Sequence, residues 1–384
     1  MMTAPAAPIR ICFVAHENLL LLAPEFGGRG VGGAQLQQTL LARALVRRGF
    51  DVSMVVGDYG QPNGASWDGI RTYKSFRREA GIPVLRWLHP RLTGLWRAAA
   101  EADADIYYVS CASVQVGQLA WFARRHRRKL IFKVASDGDC DPRRLPKIRY
   151  GRDKLIYRYG LRHADAILAQ SARQQSNLER HFEVDSIIAP SLSQPLNADR
   201  PFADRDIDVL WAGVVYDIKR PQLLVQLAQA MPEIRVHLVG GPSAESKTFH
   251  EGIRRSAAGL ANLTLQGHVP FHQIGPFFER ARVLVNTSET EGFPNTYLQA
   301  WSSGAPVVAF FDPDGVIERE GLGMRVNTLE EMREAVHALT RDESAWSRAS
   351  ARCRAYFRAH YAEEASLRPY LATIERLAGA DAAR

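Results

Sequence analysis

Three segments of this 384-residue chain combine residue types that can hold an anion or a polyol. The first is a glycine-rich run at residues 28–33 with the spacing G-x-G-x-x-G. Twelve residues separate it from the apolar run that ends at Ala15, whereas the glycines of a dinucleotide fingerprint follow their strand directly. We therefore interpret the run as a loop at a helix N-terminus, where Gly32 and Gly33 can present N–H groups to an anion. A plain surface loop is the alternative.

The second segment is residues 285–300, VNTSETEGFPNTYLQA. A strand ends there in polar residues, a carboxylate and a glycine follow, and a helix starts near Asn295. The backbone N–H groups of Phe293, Asn295 and Thr296 would face an anion bound at that helix start. The carboxylate of Glu291 would repel a phosphate, so its natural partner is a neutral polyol such as a sugar, whose hydroxyls can donate to it.

The third segment is the acidic cluster Asp137, Asp139 and Asp141, which follows a predicted strand. It fails as a calcium loop, because Pro142 stands where glycine is required and Ile148 occupies the twelfth position. We predict no metal site. Our hypothesis is that Asp137 or Asp139 orients an acceptor hydroxyl, and the alternative is that these residues cap a helix.

The elements that must position these residues follow one repeated pattern, in which apolar runs of strand length alternate with segments of helical period. The predicted strands are 9–15, 51–56, 106–110, 129–135 and 166–169, then 208–212, 235–239, 263–266, 283–286 and 306–310; helices are predicted at 34–48, 113–125 and 221–230, and throughout the last 50 residues. This alternation predicts an α/β fold of two tandem doubly wound, Rossmann-like domains with a ligand cleft between them.

The domain boundaries follow from composition. Residues 191–206 are rich in Pro, Ser, Asn and Asp and are interpreted as a linker. We therefore predict an N-terminal domain at 1–190 and a C-terminal domain at 207–360. We expect residues 361–384 to form a helix that packs back on the first domain.

Charge is distributed unevenly over a chain of net charge +8. Residues 1–190 carry 28 Lys and Arg against 17 Asp and Glu, which is +11; residues 191–384 carry 21 against 24, which is −3. The stretch 124–162 alone holds fourteen Lys and Arg. This concentration favours an anionic partner, such as an anionic substrate or an anionic lipid surface. Nucleic acid is not predicted, because the chain has no nucleic-acid module and no basic stripe interleaved with aromatic residues.

Four cysteines lie far apart and form no C-x-x-C pair, which is typical of a reducing compartment. No apolar run approaches the roughly 20 residues that a membrane-spanning helix needs. We expect a cytoplasmic protein, with peripheral attachment to the inner membrane face as a further expectation.

Residues 285–310 resemble the donor-site signature of retaining glycosyltransferases of family 4, which have the GT-B fold. The family has a Glu, seven residues and a second Glu, with Gly-Phe-Pro-Asn after the first. Here the first is Glu291 and the second position is Gln299. The resemblance implies that Glu291 contacts the donor sugar and that Gln299 contacts the nucleotide ribose, where an amide can still bond a hydroxyl but lacks the charge.

Other stretches resemble the family at matching places. Residues 32–35 resemble its N-terminal glycine loop, and residues 209–213, ending at Gly213, resemble the first strand of its second domain. The family often has Arg directly after that glycine; here it is Val214, so the resemblance leaves the diphosphate charge to Lys219 with Arg220. His268, in the stretch 267–270, corresponds to the approach to the nucleobase pocket.

The resemblance implies a retaining transfer of sugar from a UDP-sugar or GDP-sugar to an acceptor hydroxyl, with no obligatory metal and no further cofactor. The resemblance also implies that the domain at 1–190 binds the acceptor and that the domain at 207–360 binds the donor, so the basic excess of the first domain would favour an anionic acceptor. The acceptor would be a sugar, a polysaccharide precursor or a lipid-linked molecule. Two alternatives stay open: a nucleotide-sugar or carbohydrate-binding protein with impaired catalysis, indicated by Gln299 and Val214, and a nucleotide-sugar epimerase of the same fold.

Overall fold

The computed structural model describes residues 8–27, 32–83, 85–143, 145, 148, 150–196, 200–243 and 246–382. The chain forms two compact units, one of Met1–Leu192 with Leu367–Arg384 and one of Ser193–Ser366. Each unit is built on its own largely parallel sheet, so the predicted α/β fold of two tandem doubly wound domains is confirmed. The segment predicted as a linker, 191–206, lies across the start of the second unit.

The first unit contains an eight-stranded sheet in the order β3-β4-β2-β1-β5-β6-β7-β8, parallel except for the β3–β4 hairpin. Its strands are β1 Arg10–Val14, β2 Asp51–Val56, β3 Ser66–Trp67, β4 Ile70–Lys74, β5 Ile106–Ser110, β6 Lys129–Lys133, β7 Ala166–Ala169 and β8 Ile187–Ile188, and its helices are α1 Leu19–Leu22, α2 Gly33–Arg47, α3 Thr93–Ala102, α4 Val114–Arg125, α5 Gly151–His163 and α6 Ala172–Phe182. The strand order reverses direction between β1 and β5, which makes this the switch point where open α/β sheets bind ligands.

The second unit contains a six-stranded parallel sheet in the order β11-β10-β9-β12-β13-β14. Its strands are β9 Ile207–Ala212, β10 Val236–Val239, β11 Leu263–Gly267, β12 Ala281–Asn286, β13 Val307–Ala309 and β14 Gly323–Arg325, and its helices are α7 Pro221–Ala230, α8 Lys247–Ser256, α9 Gly275–Arg280, α10 Asn295–Ser303, α11 Val316–Glu320, α12 Leu329–Arg341 and α13 Glu343–Tyr361. Here the switch point lies between β9 and β12.

Central strands of both sheets are apolar along their length because helices cover both faces. All six residues of β9 are buried, as are the last five of β2. Close helix packing in the first unit depends on glycine: a Cβ at Gly117 of α4 would lie 2.0 Å from the carbonyl oxygen of Ile156 in α5. A side chain at that position would push the two helices apart.

The last helix, α14 Glu363–Ala382, belongs to the first unit from Leu367 onward. The hydroxyl of Tyr370 donates to the carbonyl of Pro190 at 2.8 Å. The Tyr370 ring also lies 5.2 Å from the amine of Lys133, which is buried at the end of β6 and donates to the carbonyls of Ala169 and Ala189. Burial lowers the pKa of Lys133 to about 7.

This lysine makes stability depend on pH. Because the unfolded chain holds the Lys133 proton up to a pKa near 10.4, it binds more protons than the native state between pH 7 and that value, so stability rises with pH across the interval. We expect the unfolding free energy of the first unit to rise by about 1–2 kcal/mol from pH 7 to pH 9, relative to Lys133→Met. Urea unfolding of both proteins at each pH measures it. An identical pH dependence in the two would contradict the assignment.

Candidate functional site

A lysine and a carboxylate meet at the switch point of the second sheet. Lys219 ends a short 3-10 helix, Asp217–Lys219, after β9, and Glu291 follows β12. Their side chains form an ion pair between Lys219 Nζ and Glu291 Oε1, and are 17% and 15% exposed. The Ser288 hydroxyl donates to the same carboxylate oxygen at 2.6 Å. The Ser288 hydroxyl therefore helps to orient the ion pair, and both side chains remain partly accessible to solvent.

Buried residues hold the two loops together behind this pair. The Thr287 hydroxyl donates to the Lys219 carbonyl at 2.6 Å, and Trp211 of β9 donates from Nε1 to the Thr287 oxygen at 2.9 Å. Thr287 and Trp211 are both essentially inaccessible to solvent. These contacts link residues 68 and 76 positions apart. They join the loop that carries Lys219 to the loop that carries Glu291, and so fix the distance between the two side chains.

Arg220 supports the same loop. Its backbone is in the left-handed region, with φ of 47°, and it directly precedes α7. Its Nε donates to the Thr287 carbonyl at 2.8 Å, and its guanidinium lies 4.7 Å from the centre of the Phe310 ring. The predicted diphosphate-binding arginine thus also positions the loop that leads to Glu291.

Helix α10 begins beside Glu291, at Asn295, as predicted. Its N-cap residue is Pro294, which has no side-chain acceptor for the first-turn N–H groups, including that of Thr296. The Phe293 ring packs against Trp301 with centroids 6.1 Å apart, so the side chain of Phe293 serves the core. Gln299 lies on the second turn of α10 and is 7% exposed.

The remaining predicted donor-site residues lie along the same edge. Gly213 follows β9, and a Cβ there would be 3.9 Å from Lys219 Cε. His268 follows β11, is exposed, and lies against Gly241 after β10. Gly240 has to be glycine because a Cβ would lie 1.8 Å from the Gly213 carbonyl oxygen. Between Lys219 and His268, this edge of the sheet therefore has backbone without side chains at Gly213, Gly240 and Gly241.

Sequence reasoning missed the residues that orient the ion pair: Ser288, Thr287 and Trp211. The polar end of β12 is a usable signal for Ser288, which stands three residues before Glu291. Tyr216 was missed as well; burial and the Glu291 charge raise its pKa to about 12, so its phenol is a neutral hydrogen-bond donor at pH 7.

In the first unit, the acidic cluster forms a short 3-10 helix, Asp137–Cys140. Asp139 is 4% exposed and accepts from the backbone of Ala135 at 2.8 Å and of Ser136 at 3.2 Å in a capping box. Its geometry is that of the capping alternative. Asp137 accepts from Gln174 Nε2 at 3.1 Å and stays a candidate for orienting an acceptor.

Gly33 opens α2, and Gly32 is its extended N-cap residue, which agrees with a loop at a helix N-terminus. The rest of the glycine-rich run, residues 28–31, lies outside the described residues. Within the described part of the chain, no group of three or more His, Cys, Asp or Glu side chains is arranged to hold a metal ion. No helix in that part is long and apolar enough to cross a bilayer.

Two doubly wound units in tandem, the second with a cation and a carboxylate at its switch point, define the class of α/β proteins with the GT-B fold. Solved structures with the same two-domain fold support this assignment. Sucrose-phosphate synthase from Thermosynechococcus elongatus superposes with a TM-score of 0.75 at 18% identity, over 96% of this chain and 99% of that one. Anabaena Alr3699/HepE, solved in complex with UDP and glucose, gives 0.69 at 14% identity, over 98% and 100%. At this identity the likeness shows the fold.

The family is shown by sequence. Residues 32–188 match the glycosyl transferase 4-like domain and residues 206–342 match glycosyl transferases group 1. The chain belongs to this glycosyltransferase family. The D-inositol 3-phosphate glycosyltransferase of Streptomyces scabiei is 30% identical over 175 residues, which are 39% of this chain and 39% of that relative. The chain is thus matched to about two fifths of the length of this curated relative.

Proposed function

We propose that this chain transfers a sugar from a nucleotide-diphosphate sugar to an acceptor hydroxyl, with retention of configuration at the anomeric carbon. The observation that carries the proposal is the Lys219–Glu291 ion pair, oriented by Ser288 at the switch point of the second sheet. A cation beside a carboxylate at the strand carboxyl ends suits a ligand that is anionic at one end and a neutral polyol at the other. A nucleotide-diphosphate sugar is such a ligand.

Each residue then has a defined task. Glu291 accepts hydrogen bonds from sugar hydroxyls, and its contacts with Ser288 and Lys219 keep it in one orientation. Lys219 and the first-turn N–H groups of α10 stabilise the negative charge that develops on the diphosphate. The bond from the anomeric carbon to the diphosphate oxygen breaks, the acceptor oxygen bonds to that carbon on the same face, and its proton passes to the departing oxygen.

The nucleoside end of the donor would lie along the same edge. Gln299 would bond a ribose hydroxyl, and the bare backbone near Gly240 would let the base approach His268. UDP is the nucleotide we favour over GDP, because the HepE neighbour was solved with UDP and glucose. No cofactor beyond the donor is part of the proposal.

A panel of nucleotides tests the donor site. We expect UDP to raise the melting temperature more than GDP or ADP, since a ligand at 100 times its Kd stabilises a protein by about 2.7 kcal/mol. Lys219→Met should weaken UDP binding about tenfold or more, because it removes a charged contact to phosphate. Lys247→Met is the matched control, as Lys247 is an exposed lysine of the same unit, and it should bind UDP like the wild type.

Product analysis then tests the reaction. Incubation with a UDP-sugar and candidate acceptors should form a glycoside with the anomeric configuration of the donor. An inverted product would overturn retention. An epimerised sugar-nucleotide formed without acceptor, or nucleotide binding with no chemistry under any acceptor, would instead support one of the two alternatives open from the sequence.

Gln299→Glu tests the ribose assignment. The substitution restores a carboxylate that can accept charge-assisted hydrogen bonds from ribose hydroxyls. We expect transfer activity to stay within about threefold and UDP to bind several-fold more tightly. Titration calorimetry with UDP and steady-state kinetics measure the two quantities. Complete loss of activity would mean that Gln299 has a different role.

An anionic membrane surface is the partner we propose for the first unit. Leu85 and Leu88 are 57% and 45% exposed, and Trp87 between them lies under the guanidinium of Arg152 at 4.4 Å. Arg152 is the second residue of the basic helix α5, on which Leu155 is 69% exposed. Exposed apolar and aromatic side chains among arginines are typical of surfaces that enter the headgroup region of anionic bilayers. A lipid-linked acceptor would be reached there.

Vesicle sedimentation tests this surface. We expect binding to phosphatidylcholine vesicles that contain 30% phosphatidylglycerol, as a chosen composition, and its loss at high salt, because screening shortens the range of the attraction. The double variant Trp87→Gln, Leu88→Gln should bind the vesicles about tenfold more weakly, because it removes apolar surface that the bilayer would bury. Met324→Gln, at an exposed apolar residue of the second unit, should bind normally. Binding that ignores anionic lipid and salt would contradict the proposal.

A further inference from the structure

The carboxylate of Glu291 stands on a loop, residues 287–294, that contains no helix or strand. Before Glu291, this loop is fixed at its backbone, because the N–H of Glu289 donates to the carbonyl of Ile218 at 3.2 Å. After Glu291, the large side chain of the loop is Phe293, two residues further along. The groups that hold Phe293 therefore fix the second end of the segment that carries the carboxylate.

Aromatic rings from two helices hold Phe293. The first is Trp301 of α10, whose ring centre lies 6.1 Å from that of Phe293. The second is Tyr361, the last residue of α13, whose ring centre lies 5.7 Å from that of Phe293 with the planes tilted by 38°. Trp301 and Tyr361 are themselves 6.4 Å apart, so the three rings form a closed triangle. At these distances aromatic pairs attract one another beyond the burial of apolar area.

Tyr361 is itself held in place by α13. It is 6% exposed, and the ring of Phe357, one turn earlier, stacks on it with centroids 6.4 Å apart. Nearer its middle, α13 packs closely on α10, because a Cβ at Gly304, the C-cap residue of α10, would lie 2.7 Å from Ser350 Oγ. The buried side chains of α13 recur every three or four residues, which is one helix face: Trp346, Ser350, Cys353, Phe357 and Tyr361. Tyr361 therefore contacts Phe293 from a fixed helix.

We propose that Tyr361 is a positioning residue for the donor site. Its ring holds Phe293 in place, and the short segment between Phe293 and Glu291 passes this restraint to the carboxylate that meets the donor sugar. The role of Glu291 toward a sugar rests on the proposed function, whereas the contact between the two rings does not. The phenol hydroxyl has no part in the proposal, because the ring makes the contact.

Steady-state kinetics and UDP titration of Tyr361→Leu test this role. A 1 Å displacement of a group at the reacting centre costs about a hundredfold in rate, and Glu291 keeps its contact with Ser288, so we expect kcat for sugar transfer to fall about tenfold. The Kd for UDP should stay within about threefold, because Lys219 is held through Thr287 instead. Tyr361→Phe keeps the ring and should restore kcat to nearly that of the wild type.

The matched control is Phe278→Leu, which removes a fully buried ring of α9 from the apolar core that also contains Tyr361. It should lower the melting temperature as Tyr361→Leu does and should keep kcat near that of the wild type. Three results would overturn the proposal: an equal loss of kcat in this control, a Tyr361→Phe variant as slow as Tyr361→Leu, or a Tyr361→Leu variant as fast as the wild type.

The variant Phe293→Leu shows whether the effect of Tyr361 passes through Phe293. Combined with Tyr361→Leu, it should lower kcat no further than Phe293→Leu does alone, because the Tyr361 ring then has no partner ring to hold. Independent effects of the two substitutions would instead multiply. Multiplied losses of kcat in the double variant would overturn the proposal.

Urea unfolding of the full chain in the wild type, the two single variants and the double variant needs no substrate. We expect the double variant to lose less stability than the sum of the single variants, as side chains in contact do, and additive losses would overturn the proposal. Coupled rings with unchanged kcat in Tyr361→Leu would overturn the positioning role and leave the proposed function standing. Coupled rings in a wild type that binds no nucleotide-sugar would overturn the proposed function, and with it the role toward a sugar, and leave only the contact.

Discussion

Replacing Glu291 by alanine is expected to lower the rate of sugar transfer by about a hundredfold or more, the usual cost of removing a preorganised polar contact to a transition state. Glu291 is the carboxylate that the protein orients with Ser288 and Lys219. Without it, the sugar loses an acceptor for its hydroxyls. Nucleotide binding should be kept or should tighten, because Lys219 no longer shares its charge with a carboxylate.

Comparison of kcat/KM for transfer with the Kd for UDP checks this result. The split between lost transfer and retained UDP binding is what a folding defect would not produce. Glu289→Ala is the matched control, since Glu289 is an exposed carboxylate two residues away, and it should keep near wild-type activity. Transfer by Glu291→Ala within twofold of wild type would show that Glu291 does not contact the reacting sugar.

The largest expected effect on stability comes from Arg205→Met. Arg205 lies two residues before β9, is fully buried, and donates to the carbonyls of Arg200 at 3.2 Å, Ala281 at 2.6 Å and Ser303 at 2.5 Å. Its guanidinium lies 4.8 Å from the centre of the Trp346 ring, and burial lowers its pKa to about 10. Methionine leaves these carbonyls without their donor, and each unsatisfied buried group costs about 1–3 kcal/mol.

We therefore expect Arg205→Met to lower the unfolding free energy of the second unit by about 3 kcal/mol or more. Arg205→Lys should also be destabilising, because an ammonium lacks the planar fork that reaches three separate carbonyls. Urea unfolding of the full chain, followed by a probe in the second unit, measures the loss. The control is Arg200→Met, at an exposed arginine. A loss below 1 kcal/mol in Arg205→Met would show that water or other groups replace its contacts.

Much of the fold was predictable, because it depends on local pattern. Apolar runs and helical periods placed the central strands and α2, α4 and α7 within a residue or two of their observed bounds. Four short or outer strands were missed: β3, β8 and β14, which lie at sheet edges, and β4, which lies next to β3. Residues of β4 alternate between buried and exposed, and β14 has only three residues, two of them exposed. Such strands carry little apolar signal, because residues that stay partly exposed need not be apolar.

On the acceptor side, prediction rested on the conspicuous acidic cluster, and Asp139 proved to be a capping residue. His16 was passed over, because a single histidine after a strand has no local signature. Its ring pairs with Gln115, 99 residues away, at 3.1 Å. Sequence reasoning had no means of placing those two side chains together.

The sequence by itself determined the two α/β units, the family signature around Glu291 and the uneven charge, since each depends on residue types close together along the chain. Only the tertiary structure decided that Lys219 pairs with Glu291 and that the buried Arg205 binds backbone carbonyls of Ala281 and Ser303. These contacts join residues 72, 76 and 98 positions apart. Strand order and register determine which such residues meet, and neither is encoded in a local pattern.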